Sequence, residues 1–202
     1  MSVLDPQAST RARIADAAEA LFRQIGYQKT SVADIAKACA MSPANVYRFF
    51  PSKSAINEAI TLRLLDTVAS EMEAIAAGSG TSGQRLRATA RHLYVRDVEL
   101  FFAEKRMHDM VGAAMTEHWS VIEGFIARVL SVWEGLLRQG MEASEFRTLD
   151  PAATAMTFKH CLMLWTHPIL LADFLGRGHT PDGLGAQQEA ALDLLLAGIA
   201  EI

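Results

Sequence analysis

A chain of 202 residues, half of them apolar, 21% charged and with only 6 prolines, has the composition of a globular protein and length enough to bury a core, which excludes disordered and fibrous classes. Cys39 and Cys161 are too few and too far apart for a disulfide framework and indicate a reducing cytoplasm, while the lack of a leader pattern and of any run of 18 apolar residues argues against secretion and membrane spanning. The net charge of -4 is unevenly laid out: residues 1–53 hold seven Lys/Arg against four Asp/Glu, so a basic head, the kind that phosphate contact requires, precedes an acidic body.

From Thr10 to Ile25 the apolar positions Ile14, Ala17, Ala18, Leu21, Phe22 and Ile25 recur at three- and four-residue steps, predicting an amphipathic helix stopped by Gly26. Ser31 with Asp34 has the form of a capping box and opens a short second helix through Val32, Ile35, Ala36 and Cys39. Ser42 as N-cap and Pro43 at the first helical position announce a third helix, which Pro51 stops after Phe50. Ser52 caps a long fourth helix running past Ile75, and Gly78 to Gly83 reads as a flexible break. Helical periodicity returns in Leu86–Phe102, Met107–Met115, Trp119–Leu137 and Ala152–Leu175, with a possible kink at Pro168. A loop over Gly176–Gly185 and a last helix over Ala186–Ala200 complete an all-α chain of about nine helices.

Three short helices with a tight turn between the last two form the shape that lays a helix in the DNA major groove, although shape alone leaves a merely packing subdomain equally open. The residues narrow this. Thr30-Ser31-Val32-Ala33-Asp34-Ile35-Ala36, then Met41-Ser42-Pro43-Ala44-Asn45-Val46-Tyr47-Arg48-Phe49-Phe50, then Ser52-Lys53 resemble the signature of the TetR family of transcriptional regulators, over roughly Arg11 to Ile60. The resemblance implies a DNA-binding head, residues 1–55, and a ligand-binding and dimerisation domain, residues 56–202.

On that reading Ser31 and the N–H groups opening the second helix receive a phosphate oxygen, besides serving as a cap. Ser42, Pro43, Ala44 and Asn45 form the leading edge presented to base edges, where Asn45 suits adenine. Tyr47, which the family uses on DNA, contacts a phosphate or a thymine methyl, with packing on the fourth helix as the alternative. Arg48 grips phosphate or guanine, or is simply solvated, and Lys53 meets a backbone phosphate at the start of the fourth helix. Phe49 and Phe50 are read as core. Two departures stand out: Ala40 occupies a turn position where relatives place glycine, and Ala33 cannot read a base.

In the body, Phe101, Phe102, Met107, Met110, Trp119, Phe125 and Trp165 are the candidates for a small-molecule pocket of the kind the family encloses there, core packing being the plainer alternative. Leu162, Trp165, Leu192, Leu195, Leu196 and Ile199 make the last helices apolar on more than one face, which fits helix pairs meeting across a dimer axis or deeper burial within one subunit. No set of side chains suggests catalysis, a metal site or a cofactor, and His160 and His167 stand two turns apart. The expected function is a homodimeric cytoplasmic repressor, released from a near-palindromic duplex operator by an apolar effector. A helical enzyme or carrier, or a ligand-independent architectural DNA-binding protein, are the alternatives.

Overall fold

The computed structural model describes residues 6–103, 105–117 and 119–201, with the side chains of 6, 101–103, 105–108 and 119 left undescribed. The described residues form eleven helices, with a single isolated β-bridge, Phe146 to Ala200. They are α1 (Pro6–Ile25), α2 (Val32–Ala38), α3 (Pro43–Tyr47), α4 (Lys53–Ala76), α5 (Ser82–Ala103), α6 (Lys105–Glu117), α7 (Trp119–Glu142), α8 (Pro151–Cys161), α9 (Met163–Thr166), α10 (Pro168–Gly176) and α11 (Pro181–Ile199). No described helix is long and apolar enough to cross a membrane.

The all-α expectation holds, and the differences from the predicted elements have local causes. The single helix expected over Ala152–Leu175 is three helices, because His167 is extended (φ -123°, ψ 108°) as the residue before a proline must be, and Leu162 leaves helical geometry. α5 starts four residues early on a capping box, with Thr81 N–H donating to Gln84 Oε1 at 3.0 Å and Gln84 N–H to Thr81 Oγ1 at 3.2 Å. α11 starts at Pro181 because Thr180 caps it, accepting from Gly183 N–H at 3.1 Å. α3 ends at Tyr47, three residues short of the expectation, since both Phe49 and Phe50 N–H turn back onto the Val46 carbonyl.

The chain divides into two compact units, one holding the chain up to Leu65 with Ala103–Ile122, the other Asp66–Phe102 with Glu123–Ile202. The first unit therefore reaches beyond residue 55. It buries Ile14, Ala18, Phe22, Ile35, Val46 and Phe50 from the first three helices, and also Ile56 and Ile60 of α4 and Met110 and Ala114 of α6, which packs on α1.

The second unit is built on Trp133, fully buried, with Met72, Leu86, Leu137, Phe158, Leu162, Leu171 and Leu192. Within it Trp133 Nε1–H donates to Thr89 Oγ1 at 3.0 Å, and Gln188 Nε2–H to the Ala90 carbonyl at 3.1 Å. Asp97 of α5 is half-buried. Burial pushes its carboxyl up to about 7. Between the unfolded value near 4 and that value the folded chain holds a proton that the unfolded chain releases, so stability falls as pH rises through this window and levels off above it. Asp97→Asn should therefore stabilise the protein at pH 8 and do so much less at pH 4. Urea melts of both proteins at the two pH values test this; equal pH slopes would refute it.

Candidate nucleic-acid interface

Ser31 and Asp34 form a complete capping box on α2: Asp34 N–H donates to Ser31 Oγ at 3.1 Å and Ser31 N–H to Asp34 Oδ2 at 2.9 Å. The Ser31 hydroxyl also donates to Asp34 Oδ2 at 2.6 Å, and these bonds hold the Asp34 carboxyl below its usual range. At the other end of α2, Met41 N–H bonds the Ala36 carbonyl at 2.9 Å and Ala40 N–H that of Lys37 at 3.1 Å, a Schellman closure around Ala40 at φ 52°. The turn thus takes the left-handed conformation in which alanine costs about 1 kcal/mol relative to glycine.

α3 follows at once, capped by Ser42 Oγ accepting from Asn45 N–H at 3.3 Å, with Pro43 in its first position. Val46 and Phe50 are buried beneath it, Phe49 is only partly so. Helical spacing then leaves Ser42, Pro43, Ala44, Tyr47 and Arg48 exposed on the outer side, with Asn45 half-buried and its Nδ2 4.0 Å from Met41 Sδ. Tyr47 is 51% exposed, so its ring is not spent on packing against α4.

Four of the head's basic side chains are occupied within the protein. Arg11 Nη1–H donates to the Phe49 carbonyl at 2.5 Å with its guanidinium 4.0 Å over the Phe50 ring, and Arg13 donates to the Cys39 carbonyl at 3.2 Å. α1 thereby places a cation at the C-terminal end of each reading helix. Arg23 pairs with Glu19. The Lys53 ammonium donates to the carbonyls of Tyr27 at 2.8 Å, Thr30 at 3.0 Å and Gln28 at 3.5 Å, and lies 4.4 Å from the Tyr27 ring centre. Lys53 thus laces α4 to the α1–α2 turn. Lys29, Lys37 and Arg48 are the exposed cations around the reading helices, and the first two were not singled out by motif reading, which favours positions that a signature names over simple solvent-facing charge.

Below this surface Tyr27 stacks edge-on against Phe22 at 5.2 Å, and its hydroxyl donates to Glu117 Oε2 of α6 at 3.2 Å; Ser54 donates to the same oxygen. Burial, then Glu117, raises the Tyr27 pKa. Burial also pushes the Cys39 thiol up, with Arg13 acting in the opposite sense.

Met110 is buried in the first unit, whereas Phe125 and Trp165 pack on the core of the second, Trp165 donating from Nε1 to the Leu184 carbonyl at 2.8 Å. The side chains of Phe101, Phe102, Met107 and Trp119 lie outside the described residues. Leu162, Trp165, Leu192 and Ile199 are buried in the core of the single chain, and Leu195 and Leu196 are partly buried against the same core. What α8 and α11 leave outside is a different stripe: Met156, 40% exposed, beside Ala153 and Thr157, and Leu194, 78% exposed, beside Ala190 and Ala197.

Comparison with known proteins agrees with this geometry. Residues 14–60 match the family described as bacterial regulatory proteins of the tetR family, and residues 82–181 match the tetracyclin repressor-like C-terminal domain. The HTH-type transcriptional regulator UidR of Escherichia coli is 43% identical over 54 residues, a match spanning 27% of this chain and 28% of that regulator. Among solved structures, a TetR/AcrR regulator from Thermobifida fusca is 24% identical with a TM-score of 0.62, covering 94% of this chain and 98% of that one. FadR from Bacillus subtilis, solved with stearoyl-CoA, is 18% identical with a TM-score of 0.67, covering 93% and 98%. At such identities the likeness is one of fold. With both halves of the architecture matched in order along the sequence, the chain belongs to the TetR family of bacterial transcriptional regulators.

Proposed function

We propose that this regulator acts in the cytoplasm as a homodimeric repressor, its two α3 helices reading successive major grooves of a near-palindromic operator, and that a small, largely apolar effector lowers its DNA affinity. The observation that carries the DNA reading is the outer face of α3: a capped, rigidly seated helix that leaves Pro43, Ala44, Tyr47 and Arg48 in solvent. No enzymatic family is indicated by the matches, and the chain is read as a binding protein only. The effector reading leans on the family and on fold neighbours such as FadR with stearoyl-CoA and the ketosteroid regulator KstR2 of Mycobacterium tuberculosis. α4 gives its first half to the first unit and its second half to the other, and is the element through which effector occupancy is passed on. A coupling of ~1–3 kcal/mol gives roughly 5–150-fold relief, and reciprocity requires DNA to weaken the effector equally.

The phosphate contacts fall to Lys29, Lys37 and Arg48 with Ser31, and base reading to Asn45 with Tyr47. Lys53 contributes its charge from a fixed position, its three N–H groups being taken up by carbonyls. Titration of a selected operator over a range of salt separates these roles. Lys37→Ala, removing one contact per subunit, should flatten the log–log salt slope by about 1.8 and weaken all sequences alike, whereas Asn45→Ala should alter base preference. Lys53→Ala should also lower thermal stability, because it unlaces the α1–α2 turn. Operator binding that is indifferent both to salt and to these changes would refute the assignment of α3 and its flanks.

A further inference from the structure

Asn57 and Thr61 stand one helical turn apart on α4, inside the first unit, and both are fully buried. Asn57 Nδ2–H donates to the Met110 carbonyl of α6 at 3.3 Å. Among the described residues its Oδ1 and the Thr61 hydroxyl have no hydrogen-bond partner, and neither has surface open to water. Buried polar atoms are seldom left in this condition, since each has surrendered its hydration with nothing in return. A buried threonine in a helix ordinarily turns its hydroxyl onto the carbonyl four residues back, and here that bond is not made. A second feature lies on the facing helix. Gly112 of α6, two residues beyond Met110, has no described atom from outside its own stretch of helix within 4 Å of where a side chain would begin, so packing among the described residues does not require a glycine there. A glycine in mid-helix without a packing reason lowers the resistance of that helix to bending.

We propose that Asn57 Oδ1 and Thr61 Oγ1 form a hydrogen-bonding subsite for the effector, entered when α6 yields near Gly112 and the Asn57–Met110 bond releases. The inference rests on the ligand-responsive reading given above. The two oxygens specify the ligand's polar group: Asn57 Oδ1 only accepts, while the Thr61 hydroxyl accepts and donates. A neutral hydroxyl satisfies both, donating to Asn57 and accepting from Thr61. A carboxylate, which only accepts, leaves Asn57 Oδ1 unsatisfied, and a pure hydrocarbon leaves both. The effector is therefore an apolar molecule bearing an alcohol or phenol, not a free fatty acid.

Three probes on one frame test this in the full-length protein: 2-phenylethanol, ethylbenzene and phenylacetate, titrated while the side-chain amide signal of Asn57 is followed by NMR. The alcohol should saturate with a Kd at least fivefold below that of the hydrocarbon, and phenylacetate should bind weakest. Thr61→Val should bring the alcohol's advantage under twofold with Tm unchanged or raised, because the hydroxyl it removes has no partner. Gly112→Ala, which has room for its methyl group, should weaken the alcohol at least threefold by stiffening α6. Equal binding of alcohol and hydrocarbon, a silent Asn57 signal or an undiminished preference in Thr61→Val would overturn the subsite, and so would a fall in Tm in that variant or a resident water that no probe displaces. Wild-type protein that binds operator but ignores all three probes refutes the subsite alone, whereas failure to bind any duplex refutes the wider reading.

Discussion

Gly140→Ala should destabilise the protein by about 3 kcal/mol or more, lowering Tm by roughly 6–12 °C, although a glycine in a helix is ordinarily improved by alanine. A methyl group at this position in α7 would meet Cδ2 and Cε2 of the Phe146 ring at 2.2 Å, a distance that neither atom can tolerate. The ring cannot simply swing aside. The Gly140 carbonyl accepts the N–H groups of both Glu145 (2.8 Å) and Phe146 (3.2 Å) in the turn that follows α7, where Ser144 sits at φ 56°. Beyond the ring, Arg147 N–H bonds the Ile199 carbonyl at 2.9 Å, and the Glu145 carboxylate receives the N–H groups of Ser82 and Gly83 at the head of α5. One close contact thus holds the ends of three elements of the second unit. Gly124, on the same helix with open space around it, is the control: Gly124→Ala should leave Tm unchanged or raise it slightly. Thermal melts followed by circular dichroism decide, and a Gly140→Ala protein within 2 °C of the parent would refute the account.

Gly140 also illustrates what a sequence can and cannot reveal. Apolar periodicity predicts the helix only as far as Leu137, whereas α7 runs on to Glu142, and its glycine at 140 marks a close approach to a ring six residues on, which only the folded chain discloses. Capping is legible because its partners are three residues apart, and Ser31–Asp34 and Ser42–Pro43 appear in the structure as the sequence predicts. The same chemistry at Thr180–Pro181 and Thr81–Gln84 was overshadowed by neighbouring glycines, which weigh heavily toward loop. Tyr47 and its neighbours on α3 could be placed on one exposed face from helical spacing alone. The fates of Arg11, Arg13 and Lys53 could not, because their carbonyl partners lie 23 to 38 residues away and a count of charges treats every cation as available. Apolar residues on several faces of one helix carry no mark of which face meets a partner, so by sequence Leu162 and Leu192 suit an interface as well as a core, and in the single chain both are buried.

Because Leu192 is buried within the single chain, Leu194 is the position on α11 whose substitution reports on the proposed dimer. Leu194→Arg should leave the subunit folded, convert the dimer to monomer and reduce operator affinity by roughly 10²–10⁴-fold, the gain that linking two half-sites provides. Leu194 is 78% exposed on α11, and the residues one turn to either side, Ala190 and Ala197, are small enough to let a second helix approach closely. An arginine there meets only water in the monomer, so its effect on subunit stability should stay within about 0.5 kcal/mol. In a dimer it would face its own copy across the two-fold axis, charge against charge in a desolvated contact. Met156→Glu on α8 should act in the same direction. Leu192→Ala, by contrast, empties a fully buried position and should cost ~2–5 kcal/mol of subunit stability, with any loss of dimer following from unfolding. Sedimentation of the three variants, paired with thermal melts and operator titrations, distinguishes the cases. A Leu194→Arg protein that remains dimeric with full affinity would move the interface elsewhere, and one that is monomeric with full affinity would show that a single α3 suffices for recognition.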